Sequence, residues 1–211
     1  LSRTGNPELR TALWHQLQLA YSYRRAARLE LSYRDTRHPL VEALDGLTLR
    51  PTNLDYTRYL RALIALPVPI RQAKGFSWWA QTYLVGQRQW DAGSVLGTPF
   101  SAVTNAAYLM HKHQLSLRDS WYLDLGITYY SALRYQLFAM QPQYFVDASL
   151  SHVRGPLRIE LSAYDFLGTN KARGRYDVGA TQLDFVRKWY TPQVALSLYY
   201  SFGSHKLKEN K

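Results

Sequence analysis

The sequence contains no cysteine in 211 residues. This absence excludes a disulfide framework, a thiolate metal site and a cysteine nucleophile. Long apolar runs are missing as well, since no segment approaches the ~20 consecutive apolar residues that a membrane-spanning helix requires. The most apolar stretch, Leu60–Ile70, is interrupted by Arg61, Pro67 and Pro69. Transmembrane helices are therefore excluded.

The first ten residues lack the apolar core and the small-residue cleavage site of a secretory signal. We therefore expect either that a signal has been removed or that the chain starts inside a longer one. We recognise one barrel domain over residues 1–203 and a short basic tail over residues 204–211, with no linker and no second domain.

The formal net charge is +11 and the isoelectric point is about 9.8, values that usually indicate nucleic acid or an anionic membrane surface as a partner. The basic residues are scattered, however, from Arg3 to Lys211, and only the tail concentrates them. We therefore predict that nucleic acid is not a partner. Aromatic residues make up 14% of a chain whose mean hydropathy is only −0.34, which suits side-chain rows of opposite character.

Strict alternation of apolar and polar residues dominates the chain, and this period of two indicates strands whose faces meet different environments. The residues we predict to face lipid are Leu17, Leu19, Tyr21, Leu123, Leu125, Ile127, Leu161, Leu196 and Leu198. The opposite rows carry the residues we predict to face a polar lumen, which are Arg24, Arg28, Glu30, Arg34, Asp124, Arg158 and Glu160.

The pattern predicts about ten to eleven strands joined as consecutive antiparallel hairpins. Clear strands cover parts of residues 13–24, 28–34, 121–130, 146–150, 157–163 and 193–202. Less regular ones are expected over residues 43–50, 54–68, 72–86, 99–113 and 176–187. Turn-rich segments separate them at residues 25–27, 86–97, 154–156 and 168–174.

Two architectures produce such alternation, a soluble β-sandwich and a membrane-spanning β-barrel. Strands of ten or more residues match the ~9–11 residues that cross a bilayer at a tilt. Aromatic residues lie toward the ends of apolar rows, where rings can rest at lipid–water interfaces. The polar rows are charged, and burying unpaired ions in a dry sandwich costs several kcal/mol each. We therefore predict an all-β, antiparallel transmembrane β-barrel.

The segment "GNPELRTALWHQLQLAYSYRRAARLELSYRDTRHPL" resembles the mid-barrel stretch of TonB-dependent receptors and related Bacteroidetes-type outer-membrane β-barrel proteins. The phrase begins at Gly5, Asn6, Pro7 and Leu9 and closes at the turn formed by His38, Pro39 and Leu40. "LRIELSAYDFLGTNKARG" is similar to a strand-then-turn phrase of the same family, and "VALSLYYSFGS" to its closing strand.

The resemblance implies the C-terminal half of a barrel with about 22 strands, located in the bacterial outer membrane as a multi-pass protein. It implies energy-coupled nutrient uptake rather than enzymatic activity, and no cofactor. The implied partners are outer-membrane lipids, the rest of the barrel, a plug domain with no counterpart in this chain, a periplasmic energy-coupling protein that acts through the plug, and a surface lipoprotein. The alternatives are a structural or assembly barrel that anchors a surface or secretion complex, and a soluble β-sandwich binding module.

Several motifs have plain structural explanations. His111 and His113 would share one face of a strand at a spacing that suits a metal, but no third ligand is near, so we interpret them as solvated loop histidines and predict no metal site. We interpret Phe76, Trp78, Trp79, Tyr83 and Trp90 as residues of an aromatic girdle, the ring of aromatic side chains at a lipid–water interface, rather than as a stacking site for a ligand. In the last strand, Tyr200 and Phe202 are candidates for the aromatic signal that barrel-assembly machinery reads.

Overall fold

The computed structural model describes residues 2–24, 27–118, 120–188 and 192–202. Within these residues the chain forms β1 (Ser2–Arg3), β2 (Leu13–Tyr23), β3 (Ala27–Arg37), β4 (Leu40–Asp45), β5 (Thr48–Asn53), β6 (Tyr56–Ala73), β7 (Phe76–Val95), β8 (Thr98–Leu117), β9 (Trp121–Tyr130), β10 (Leu133–Tyr135), β11 (Phe138–Met140), β12 (Gln143–Arg154), β13 (Leu157–Tyr164), β14 (Lys171–Val178), β15 (Thr181–Lys188) and β16 (Gln193–Tyr200). The described part of the chain contains no helix long and apolar enough to cross a membrane.

Nine strands form one antiparallel sheet in the order β2-β3-β6-β7-β8-β9-β12-β13-β16. Each strand of this main sheet pairs with the main-sheet strand that precedes it in the chain, as expected for successive hairpins. The longest members, β7 and β8, have 20 residues each. The sheet is therefore a single meander.

The connections at the two ends of the main sheet differ in length. At what we call the short-turn end, β6 joins β7 through Lys74–Gly75 and β12 joins β13 through Gly155–Pro156. At the opposite, long-loop end, the connections contain further hairpins, formed by β4 with β5, β10 with β11 and β14 with β15. Gly75 and Gly155 have φ angles of 69° and 57°, values that favour glycine in such turns.

The register places the alternating residues of all nine strands on two faces. One continuous line across the sheet reads Tyr21, Leu29, Ile64, Leu84, Leu109, Tyr129 and Tyr144. We call this side the apolar face and the other the polar face. Leu17, Leu125, Leu161 and Leu196 on the apolar face are 75%, 40%, 48% and 68% exposed. Since no second sheet covers them within the described residues, the alternative of a soluble β-sandwich is wrong.

The dry core lies at the long-loop end and not between sheets. It consists of Val41, Ala43, Leu44, Leu54, Val95, Leu137, Tyr176 and Val178, with Leu49, Phe100, Phe138 and Leu183 packed against it. These residues come from the three extra hairpins, from Leu54 between β5 and β6, and from the end of the β7–β8 hairpin, which together we call the cap. Gly93 lets β7 pass close to the chain at Leu54 and Asp55, because a Cβ there would lie 2.5 Å from the backbone nitrogen of Asp55.

The all-β, antiparallel prediction is confirmed, but several predicted boundaries are wrong. The strands predicted at 43–50 and 176–187 are each a hairpin, which turns at Gly46–Leu47 in the first case and at Gly179–Ala180 in the second. The turn predicted at 86–97 is mostly strand, since β7 continues to Val95. The turn predicted at 168–174 is turn only in its first half, because β14 starts at Lys171. The short strands β10 and β11 were not predicted.

The prolines of β6 lie inside the strand and not at its end. Its neighbour β3 pairs with it only as far as Ala65, so on that side Pro67 and Pro69 have no partner strand and their missing N–H groups cost no ladder bond. A register shift between Pro69 and Arg71 then lets the strand continue to Ala73. The predicted strand at 54–68 is therefore too short.

Candidate functional site

The polar face of the main sheet carries six of the seven residues predicted to face a lumen. Arg28, Glu30 and Arg34 alternate along β3, and the register brings them to the same side as Asp124 on β9 and the pair on β13, Arg158 and Glu160. Their exposure to a lumen stays a prediction. Arg24 is different, because it occupies the turn after β2 with a φ of 46° and lies beyond the strand, where the chain reverses.

Most charges of the polar face are paired locally. Arg28 lies 2.7 Å from Glu30, Arg158 lies 2.6 Å from Glu160, and the Lys112 ammonium lies 3.2 Å from Asp124. All of these side chains keep access to solvent, so each pair contributes only about 0–1 kcal/mol to stability. Their principal effect is to keep a polar surface of mixed charge on one side of the sheet.

A groove of about 430 Å³ follows this face between β8 and β13. Gly126 forms part of its floor, and a Cβ at that position would meet nothing within 4 Å. The rings of Tyr108 and Tyr130, 4.9 Å apart, line the same groove as Asp147 and Glu160. The groove offers rings and carboxylates to a solute, but within the described residues no group of three or more His, Cys, Asp or Glu could hold a metal ion.

The sequence did not indicate how Arg34 is held. Its guanidinium lies over the rings of Trp14 and Tyr59, at 5.0 and 5.3 Å from the ring centroids, and its Nε donates to the side-chain oxygen of Gln16 at 3.0 Å. Gln16 and Tyr59 face Arg34 across the two neighbouring strands. Only the register reveals this arrangement, since the four residues come from three different strands.

The apolar face carries all nine residues predicted to face lipid. On β9 the rings of Trp121 and Tyr129 flank Leu123, Leu125 and Ile127. These two rings are about 26 Å apart along the strand, at roughly 3.3 Å per residue, before tilt is allowed for. An apolar band of this order, closed by aromatic residues at both limits, is typical of strands that cross a bilayer.

Only part of the aromatic set in β7 lies on the face that the girdle interpretation requires. Phe76, Trp78 and Trp90 lie on the apolar face, whereas Trp79 and Tyr83 lie on the polar face. The strand's period of two dictates this division, because Trp78 and Trp79 are adjacent and must point to opposite sides. Trp79 and Tyr83 are therefore not girdle residues.

The interpretation of His111 and His113 as solvated loop histidines is wrong. Both lie within β8 on the apolar face, opposite Ile127 and Leu125 of β9, and both are half-buried. Their Nε2 atoms are 3.1 Å apart. On the other side, His113 Nδ1 accepts from the indole nitrogen of Trp78 at 3.1 Å, and His111 Nδ1 lies 2.8 Å from the hydroxyl of Thr82.

These four side chains form a directional chain of hydrogen bonds. An indole N–H can only donate, so His113 Nδ1 must accept, and a neutral His113 then carries its proton on Nε2. That proton is donated to His111 Nε2, which leaves the His111 proton on Nδ1 for donation to Thr82. The chain satisfies every ring nitrogen of the two histidines with both rings uncharged, which lets imidazoles occupy an apolar surface.

The predicted assembly signal lies at the end of the last strand of the sheet. Tyr200 ends β16 opposite Leu157, and its ring centroid lies 4.6 Å from that of Phe202. Phe202 is 86% exposed. Recognition of these rings stays a prediction, and the basic tail at residues 204–211 lies outside the described residues.

A meander of long strands with an exposed apolar band, aromatic limits and a polar face of mixed charge is the construction of an outer-membrane β-barrel wall. Comparison with protein families agrees, since the model of the family described as "Outer membrane protein beta-barrel family" matches residues 1–200. The chain belongs to this family. No curated protein and no solved structure matches the chain.

Proposed function

We propose that the chain forms one sector of the barrel of a TonB-dependent-type receptor, which takes up a nutrient across the bacterial outer membrane by energy coupling. The sequence phrases that begin at Gly5 and end at Leu40 support this proposal through their resemblance to such receptors. The polar face, with its groove at Gly126, would form part of the wall along which the solute passes.

The direction of the two edge strands supports the first part of this proposal, that the chain is one sector of a larger barrel. β2 runs toward the short-turn end, because its last residue pairs with the first residue of β3. β16 runs the same way, because Tyr200 pairs with Leu157, directly after the Gly155–Pro156 turn. Within the described residues, β2 pairs only with β3 and β16 only with β13.

Direct closure of β2 on β16 would therefore create a parallel pair, whereas bacterial single-chain barrels are antiparallel with an even number of strands. Two copies inserted in the same orientation would also meet through parallel edges. Each open edge in hydrocarbon would leave unpaired N–H and C=O groups that cost several kcal/mol each. In our proposal the rest of the wall therefore supplies an odd number of antiparallel strands, as it would in a barrel of about 22.

Two measurements on the full-length protein test the proposal. Strand counting in its structure should find these nine strands plus an odd number of others, and a barrel closed by the nine alone would contradict the proposal. Site-specific cross-linking in living cells should capture the periplasmic energy-coupling protein, and uptake of the solute should stop when the proton gradient is collapsed. Uptake that persists without the gradient would indicate a passive channel instead.

A second candidate is a structural or assembly barrel that anchors a surface protein. The folded cap favours it, because Leu44, Leu54, Leu137 and Tyr176 are at most 2% exposed and make the long-loop end an ordered platform. Cross-linking from the cap should then capture a surface lipoprotein or a component of a secretion complex. Cells that lose this contact without losing any uptake would support this candidate over the receptor.

A further inference from the structure

The apolar face changes character near the long-loop end of β2, β3, β6 and β7. Counted toward the long-loop end, the last line of paired residues that is wholly apolar contains Leu19, Leu31 and Ala62. The next three lines toward that end contain Arg88, then the pair Arg58 and Asp35, and then Arg37. These charged residues are on the same outward side as the leucines, by the register of the sheet. They therefore mark where the apolar band ends.

Three arginines follow this limit along a diagonal, with Arg37 on β3, Arg58 on β6 and Arg88 on β7. Arg37 pairs with Tyr56, and Arg58 is the next residue of β6 on the apolar face toward the short-turn end. In the same way Arg58 pairs with Trp90, and Arg88 is the next residue of β7 on that face toward the same end. The edge of the sheet at the short-turn end shifts in the same direction from β3 to β6, because β6 continues to Ala73 while β3 pairs with it only up to Ala65. In tilted strands such a diagonal runs along the membrane plane.

Aromatic rings hold two of these guanidinium groups in place. Arg58 lies 4.4 Å from the centroid of Tyr56, and Arg88 lies 5.3 Å from that of Trp90. Tyrosine and tryptophan prefer the interface between lipid tails and water, so the arginines are held at headgroup depth. Planar guanidinium groups bind phosphate through two parallel hydrogen bonds.

The charge balance of this arginine belt favours an anion. Asp35 accepts from Arg58 Nε at 2.8 Å, and the described residues show no carboxylate partner for Arg37 or Arg88. Arg37, Arg58 and Arg88 are all exposed. The belt thus presents three positive charges against one negative charge, directly beside the exposed Leu60.

We propose that Arg37, Arg58 and Arg88, with Tyr56 and Trp90, bind the phosphate-bearing headgroup of a lipid in the adjoining leaflet. The acyl chains of that lipid would lie on the apolar face below, which a soluble phosphate compound could not use. This site is independent of the transport proposal, since it requires only that the chain belongs to a membrane-embedded barrel.

The test uses the full-length protein in neutral detergent, titrated with phosphatidic acid or phosphatidylcholine and analysed by native mass spectrometry. Phosphatidic acid should bind more tightly than phosphatidylcholine. The double variant R58Q/R88Q should weaken phosphatidic acid binding about tenfold or more, and R58K/R88K should retain part of the affinity because it keeps the charge. D35N should strengthen binding, a gain that misfolding cannot produce.

Two matched controls remove an arginine elsewhere. Arg61 is on β6 but on the polar face, and Arg154 is on the apolar face at the short-turn end, so R61Q and R154Q should change the affinity by less than about twofold. The proposal is overturned if either control loses as much as R58Q/R88Q, if the double variant binds like the parent, or if D35N weakens binding. It is equally overturned if phosphatidylcholine binds as tightly, or if millimolar inorganic phosphate displaces the lipid.

Discussion

The phenol oxygen of Tyr176 accepts a hydrogen bond from the backbone N–H of Leu44 at 3.1 Å, across 132 positions of sequence. Both residues are almost completely buried, and the Tyr176 ring also packs against Phe138, with centroids 5.4 Å apart. One side chain thereby joins all three hairpins of the cap. The long-loop end therefore behaves as a folded unit and not as three independent loops.

Replacing Tyr176 by phenylalanine should destabilise the cap by about 1–3 kcal/mol, because the buried N–H of Leu44 loses its acceptor while the ring packing is kept. Hydrogen exchange at the Leu44 amide should become faster, and exchange within the main sheet should not change. The control is Y135F, since Tyr135 is 65% exposed and its hydroxyl has no such role. Unchanged exchange at Leu44 would show that the cap does not depend on this bond.

The same residue predicts a pH dependence at the alkaline limit. Burial raises the pKa of Tyr176 above its ordinary value of 10.0, and Asp45 adds to the increase, although the bond from Leu44 opposes it. A raised pKa means that the folded cap retains the phenol proton when the unfolded chain has lost it. The contribution of Tyr176 to the stability of the cap is therefore fully present below about pH 10 and declines above it. Protease cleavage within the cap should increase above pH 10, and Y176F should lack this particular transition.

The two faces of the sheet could be predicted because alternation is a local property. Every residue assigned to the apolar row is on one face, since a strand's period of two leaves no other arrangement once pairing is in register. The hairpin β4–β5 was missed because its turn at Gly46–Leu47 is only two residues long and lies between apolar segments of similar composition. The cap was missed because its core combines residues from positions 41 to 178, a set that no local pattern reveals.

The histidines illustrate a different limit. His111 and His113 interrupt an apolar row, and the lack of a third metal ligand nearby led to their interpretation as solvated loop histidines. Their partners Trp78 and Thr82 come from the neighbouring strand, at register positions that pair with Leu115 and His111. Local sequence cannot show that polar groups are satisfied across strands, so buried hydrogen-bonded networks are where pattern reading fails.

A charge placed on the apolar face should be costly. Leu125 lies near the middle of the band on β9, so Leu125→Arg should destabilise the barrel by about 2–4 kcal/mol in lipid vesicles. The matched control is Gln114→Arg, since Gln114 is on the polar face of the neighbouring strand, opposite Asp124. Urea titration of the full-length protein in vesicles measures both. Equal losses for the two variants would show that the apolar face does not contact lipid tails.

The histidine chain on the apolar face predicts strong coupling between its members. Removing His113 alone, as H113L, leaves the indole N–H of Trp78 and the Nε2 of His111 without partners, at a cost of about 1–3 kcal/mol for each unsatisfied group.

The quadruple variant W78F/T82V/H111L/H113L removes every donor and acceptor of the chain together, and it should be more stable than H113L because no polar group is left unpaired in hydrocarbon. Urea unfolding in vesicles provides the comparison. Nitrogen NMR should independently find the proton of His113 on Nε2 and that of His111 on Nδ1. Additive losses across the four substitutions, or the opposite tautomers, would show that the four side chains do not act as one hydrogen-bonded chain.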